Sequence, residues 1–132
     1  MLVELLRDSG ELQVQLSNQV KAAVERGDAL HIPFACVEFW RTMTGPGGYA
    51  FSPDRVQLLL RRALRLMPPL MPSARFTEQW LTLASRLSPQ GAAISDVQIA
   101  ALCLHHRVTE LWTLDRQFPA VDGLRVVSPL EP

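Results

Sequence analysis

Three carboxylates stand in surroundings where acids are uncommon. Glu38 lies in ACVEFWRTMT with Val37, Phe39 and Trp40 beside it, Asp96 lies at the start of ISDVQIAAL, and Asp115 follows the apolar run ELWTL directly. Each follows a strand, or opens the helix that a crossover delivers to a sheet edge. In a parallel α/β sheet the carboxyl ends of the strands form the crevice where ligands bind. Three carboxylates gathered there would repel one another strongly unless a cation neutralised them. Hard oxygen donors of this kind suit Mg²⁺ or Mn²⁺. Such a cation turns bound water into a nucleophile and steadies a phosphorus-bound oxygen.

Each acid also has a plainer reading. Glu38 can be an exposed helix position or the partner of Arg41 in an ion pair. Asp96 can serve the helix dipole, which favours an acid in the first turn. Asp115 can cap the short turn DRQF. Spacing does not choose between these readings, because any α/β domain of this size holds several acids. Other chemistry finds less support. His31, His105 and His106 show no metal-ligand spacing and read as structural. GPGG at 45–48 lacks the Lys-Ser/Thr of a phosphate-binding loop, and no nucleophile elbow is present. Trp40, Trp80 and Trp112 read as core residues.

The elements that must position the acids are legible from periodicity and punctuation. Leu2, Leu5 and Leu6 give MLVELLRD helical spacing, interrupted at Gly10. Residues 11–26 place Leu12, Leu16, Val20 and Val24 on one helix face, and Gly27 is a normal stop. LHIPF at 30–34 reads as a short strand and residues 35–44 as a helix. Ser52, Pro53 and Asp54 form an N-cap, a first-turn proline and a first-turn acid, opening a helix that runs to about Met67. LMP at 70–72 reads as an edge strand. Residues 74–87 form a helix with Phe76, Trp80, Leu83 and Leu87 inward, and Ser95 caps a helix through His106. Residues 110–114 and 124–128 are strands. Alternation of helix and strand predicts an α/β fold with a largely parallel sheet. No linker or repeat divides the chain, so residues 1–132 read as a single domain.

Composition narrows the class. The chain has 132 residues and zero formal net charge, so bulk charge points neither toward nor away from nucleic acid. Lys21 is the only lysine among 13 basic residues. That preference has two readings, a GC-rich genome and planar, bidentate phosphate contact. Cys36 and Cys103 fall in apolar periodic segments, which fits a reducing compartment and a cytoplasmic protein. Arg7 and Asp8 interrupt the apolar start, so no signal peptide is read. Arginine or proline breaks every long apolar window, so no membrane span is expected.

Three blocks carry a resemblance to a known family. IPFACVEFWRTMT resembles a strand running into a helix with the pattern Glu-Phe-x-Arg. ISDVQIAALCLHHRV resembles an aspartate opening an Ala-rich helix. ELWTLDRQFPAVDGLRVVSPL resembles a closing segment with Trp-Thr-x-Asp, then Phe, then Gly-Leu and a last strand ending in Pro-Leu. These blocks resemble the PIN-domain ribonucleases of the VapC type, the toxins of bacterial toxin–antitoxin pairs, and they span essentially the whole chain. The resemblance implies a three-layer α/β/α fold with a mostly parallel central sheet. It implies a type II toxin that hydrolyses RNA phosphodiester bonds with Mg²⁺ or Mn²⁺. Glu38, Asp96 and Asp115 match three of the family's four metal-binding acids, and Thr113 matches a position whose hydroxyl holds a water or a ligating carboxylate. It also implies a homodimer and an antitoxin whose peptide covers the acidic crevice. Arg41 and Arg116, nearest in sequence to the acids, are the candidates for RNA contact.

The chain departs from the family in two places. Gln117 stands where the family often has a further acid. The family's opening strand, ending in Asp-x-Asn, is absent, since Met1 falls inside the helix that follows it. The expectation is a natural start further upstream, or a trimmed chain, with poor stability and weak metal binding in the 132-residue form. The alternative is a catalytically inactive PIN relative kept as a protein-interaction module.

Overall fold

The computed structural model describes residues 10–47, 49–113 and 115–128, with backbone alone for residues 10–17. The expected helix over MLVELLRD lies outside them. Chain contacts divide into two compact units, Met1–Pro69 and Leu70–Pro132, and each is described by itself.

The first unit holds three helices, α1 (Gly10–Glu25), α2 (Pro33–Thr44) and α3 (Pro53–Leu64). Helix α1 stops at Gly27 as expected. Gly27 adopts φ +74°, its N–H donates to the Val24 carbonyl at 3.0 Å, and the Asp28 N–H reaches back to the Ala23 carbonyl at 3.0 Å. This pair of bonds satisfies carbonyls that a helix end otherwise leaves open. The strand expected at 30–34 contracts to one parallel bridge between His31 and Pro69. Pro33 is the cause: it cannot donate to a ladder, and its fixed φ suits the first position of α2. The edge strand expected at 70–72 is likewise replaced by that pairing at Pro69. His31 is structural, with Nδ1–H donating to the Met67 carbonyl at 2.6 Å and its backbone N–H donating to the Pro68 carbonyl at 3.0 Å.

Helix α2 ends at Gly45, where a side chain would bring Cβ within 2.7 Å of the Arg41 carbonyl oxygen. Helix α3 starts as read from the sequence. Ser52 Oγ accepts from the Arg55 N–H at 3.4 Å, Pro53 fills the first turn, and Asp54 faces the dipole. It ends at Leu64, short of Met67. Proline at 68 disfavours helical backbone at the residue before it, and the chain leaves the helix through a tight turn from the Leu66 N–H to the Ala63 carbonyl at 3.1 Å. Phe39 and Met43 of α2 meet Val56 of α3 in the core, with Tyr49, Phe51 and Leu60 packed around them. We expect Ser52→Ala to lower stability by about 0.5–1 kcal/mol, the lower part of the range for lost N-caps, because this bond is long. A denaturant titration against the parent checks it.

The second unit holds α4 (Phe76–Leu87), a single 3₁₀ turn (Gly91–Ala93), α5 (Ile94–His105) and the strands β1 (Glu110–Trp112) and β2 (Arg125–Val127). Ser88 ends α4 in the left-handed region, φ +46°, with its N–H on the Ala84 carbonyl at 2.8 Å. Helices α4 and α5 pack together. Phe76, Val97, Ala100, Ala101, Leu102, Cys103, Val121 and Leu124 are buried. Burial pushes the Cys103 thiol up to about 11 and raises Cys36 as well. His106 is structural too, its Nε2–H donating to the Met71 carbonyl at 2.6 Å.

Strands β1 and β2 pair in parallel, as the alternation of elements predicts, with Glu110 opposite Arg125, Leu111 opposite Val126 and Trp112 opposite Val127. Both are shorter than the expected five residues. Their connection is not a helix. Residues 113–124 supply the dozen or so residues that a parallel crossover needs through turns and an antiparallel bridge between Val121 and Leu124. The tryptophans correct a further expectation. Trp40 is 38 % exposed, and Trp80 and Trp112 are only partly buried. Trp112 instead places its indole N–H on Glu110 Oε1 at 2.5 Å, and Glu110 pairs with Arg125 across the strands at 3.6 Å.

Candidate metal centre

Asp96 is the third residue of α5 and the only acid in its first turn. The helix behind it buries Val97 and Ala100 through Cys103, so its N-terminus is held by the core of the second unit. Asp96 is half-buried. Its carboxyl titrates above the usual aspartate range, chiefly because burial removes water from the charged form, and then because the Asp115 charge opposes it. Asp96 thus stands in the opening turn of α5 and Asp115 in the turn after β1, and the charge of the second bears on the titration of the first.

Asp115 is exposed and its conformation is set locally. Its N–H donates to Thr113 Oγ1 at 3.1 Å, its Oδ1 accepts from the Gln117 N–H at 2.8 Å, and its carbonyl accepts from the Phe118 N–H at 3.3 Å. The plainer reading of Asp115 as a turn-former is therefore correct as far as it goes. It does not exhaust the residue: a carboxylate offers about four acceptor sites. Thr113 is tied to β2 through its N–H on the Val127 carbonyl at 3.0 Å. Its hydroxyl holds the backbone of Asp115 rather than a carboxylate. The role of the Gln117 backbone amide is one that the sequence reading did not include. The Asp-x-x pattern at a strand end, which favours an Asx turn, was the available signal.

Glu38 belongs to the first unit. It is exposed on α2 and forms an ion pair with Arg41 three residues on, at 2.9 Å. That is its plainer reading, realised. Arg41 also borders an open groove lined by Cys36, Val37, Trp40, Thr44 and Leu60. Arg116 is exposed in the turn after Asp115. Within either unit, among the described residues, no group of three or more His, Cys, Asp or Glu side chains could hold a metal ion. The two aspartates nevertheless have the donor chemistry that suits a hard divalent cation, whose charge would favour the ionised form of Asp96. Among the described residues, no helix is long and apolar enough to cross a membrane.

Residues 2–124 match the PIN domain. A protein named Ribonuclease VapC48 from Mycobacterium tuberculosis, in the strains CDC 1551 / Oshkosh and ATCC 25618 / H37Rv, is 32 % identical over 47 residues. The similarity covers 36 % of this chain and 32 % of each relative, so the chain spans about a third of the curated relatives it matches. With helices, a parallel strand pair and a family match across nearly its full length, the chain belongs to the PIN-domain family and has its α/β fold.

Proposed function

We propose that this chain is a metal-dependent endoribonuclease of the VapC type, the toxin of a type II toxin–antitoxin pair. Membership of the PIN-domain family and the likeness to a protein named as a ribonuclease support this reading. The observation that carries it is the family match over residues 2–124, and the raised proton affinity of Asp96, caused by burial and then by the Asp115 charge, accords with it. Asp96, Asp115 and Glu38 would hold Mg²⁺ or Mn²⁺. When bound, such a cation supplies charge neutralisation at the phosphate and an acidified water.

The chain's own groups have distinct tasks. Gln117 N–H fixes one oxygen of Asp115 and so sets the direction of the other. Thr113 ties that turn to the end of the strand pair. Asp96 has the raised proton affinity, which makes it the carboxylate suited to accept a proton during hydrolysis. Arg41 and Arg116 would contact flanking phosphates. An antitoxin peptide over the acids, a homodimer and a cytoplasmic setting belong to the same proposal. So does a single domain over 1–132, supported by a family match that runs through both units.

Incubation with a mixed RNA pool tests the reading. Cleavage with Mg²⁺ or Mn²⁺, abolished by a chelator, is the expected result. An intact pool at every divalent cation would leave the interaction-module alternative. Glu38 has its own test. An exposed ion pair contributes about 0–1 kcal/mol, so Glu38→Gln should shift stability by no more than that and weaken Mn²⁺ binding. An unchanged Mn²⁺ titration would remove Glu38 from the ligand set and leave the aspartates in place.

A further inference from the structure

Helix α3 carries a charge arrangement that the acid site does not use. Residues 55–77 contain five arginines, Arg55, Arg61, Arg62, Arg65 and Arg75, and no acid, in a chain whose net charge is zero. At about 100° per residue, Arg55, Arg61, Arg62 and the C-cap Arg65 fall within about 120° of arc on one face of α3. All four are exposed, while the opposite side of the helix buries Val56 and packs Leu60 against the α2 core. From Arg55 to Arg65 the face extends about 15 Å along the axis. Among the described residues, no carboxylate pairs with Arg61, Arg62 or Arg65. Arg55 is held over the Phe51 ring, 3.8 Å from its centroid, which fixes its planar group at one end of the row. Within α3 itself the acid is Asp54, which sits in the first turn and answers the helix dipole.

We propose that this arginine face is a second contact surface for RNA, holding the phosphate backbone of a single strand away from the bond that is cut. The choice of RNA among polyanions rests on the ribonuclease reading. Guanidinium groups suit it, because their fixed fork binds phosphate oxygens in pairs. With no net charge to steer by, attraction for a polyanion must come from a local concentration such as this one. A membrane surface fits less well. Interfacial helices insert a broad apolar face, whereas the apolar side of α3 is already spent on Phe39 and Met43, and its exposed leucine, Leu58, stands alone within the arginine arc.

The test uses the full chain, a chelator to prevent cleavage, and a fluorescent 20-nucleotide single-stranded RNA titrated across salt concentrations. Each lost contact to a single strand should lower the slope of log affinity on log salt by about 0.7. For Arg61→Gln/Arg62→Gln/Arg65→Gln the slope should therefore fall by about 2. Between 50 and 200 mM salt the parent should then lose about 20-fold more affinity than the variant. The triple lysine variant should keep the parent slope, and circular dichroism should be the same for all three proteins. An identical slope in parent and glutamine variant overturns the proposal. So does an unchanged RNA slope accompanied by lost binding to phosphatidylserine vesicles or to polyglutamate, which would assign the face to a membrane or an acidic protein. Because binding is read without catalysis, failure to cut RNA counts against the ribonuclease reading alone.

Discussion

Asp96→Asn should abolish divalent-ion-dependent RNA cleavage and Mn²⁺ binding while raising the melting temperature of the metal-free protein. Two effects on stability compete. A carboxylate in the first turn of α5 gains from the helix dipole, by about 0.3–1 kcal/mol at exposed positions. Against that, burial and the Asp115 charge penalise the ionised form, and the raised titration of Asp96 says that this penalty prevails. Asparagine keeps the shape and removes the penalty. The pH dependence gives the prediction its sign. Asp96 holds its proton more tightly in the folded chain than in the unfolded one. Between the ordinary aspartate range and the raised value the folded state binds more protons, so the parent loses stability as pH rises through that window. Below the window both states carry a neutral acid and the penalty disappears. The advantage of Asp96→Asn should therefore be absent in acid and complete near neutrality. Melting curves across pH, with and without Mn²⁺, measure it. A variant that titrates Mn²⁺ like the parent would end the metal assignment.

Leu102→Ala should cost about 2–5 kcal/mol, the range for large-to-small changes in a packed core. Leu102 is 0 % exposed on the helix that carries Asp96 in its first turn. Denaturant unfolding is the measurement. A shifted midpoint with an unchanged slope reports stability alone. A loss below about 1 kcal/mol would mean that the second unit repacks around the site, and α5 would then be a looser platform for Asp96 than its burial implies.

Local chemistry was readable in the sequence wherever one short segment decides the outcome. Ser52-Pro53-Asp54 opens α3, Gly27 closes α1, and the pairing of β1 with β2 follows from alternation. Where two local rules compete, the reading failed. In LHIPF the β-forming residues suggest a strand, but Pro33 withdraws a donor and presets the first helical turn, and the helix wins. The end of α3 was misplaced for a similar reason, since proline acts on the residue before it. At the acids, element order set Asp96 in the opening turn of α5 and Asp115 just after β1, because each is fixed near the end of a regular element. Glu38 could not be settled in that way. A solvated partner one turn away competes for it, and the sequence offers ion pair and ligand on equal terms. The expectation drawn from Leu2, Leu5 and Leu6 lies outside the described residues.

Asp115 is held by the backbone of residue 117, not by its side chain. That separates two kinds of freedom at one position. The amide is required, so the chain there must keep an N–H and the turn that aims it. The side chain is not required for that bond, and it can vary in size and charge without disturbing the direction of the carboxylate. Glutamine in place of an acid is one such variation. It changes the field beside Asp115 and leaves its turn intact, so the charge there can be adjusted at position 117 independently of the shape of the turn.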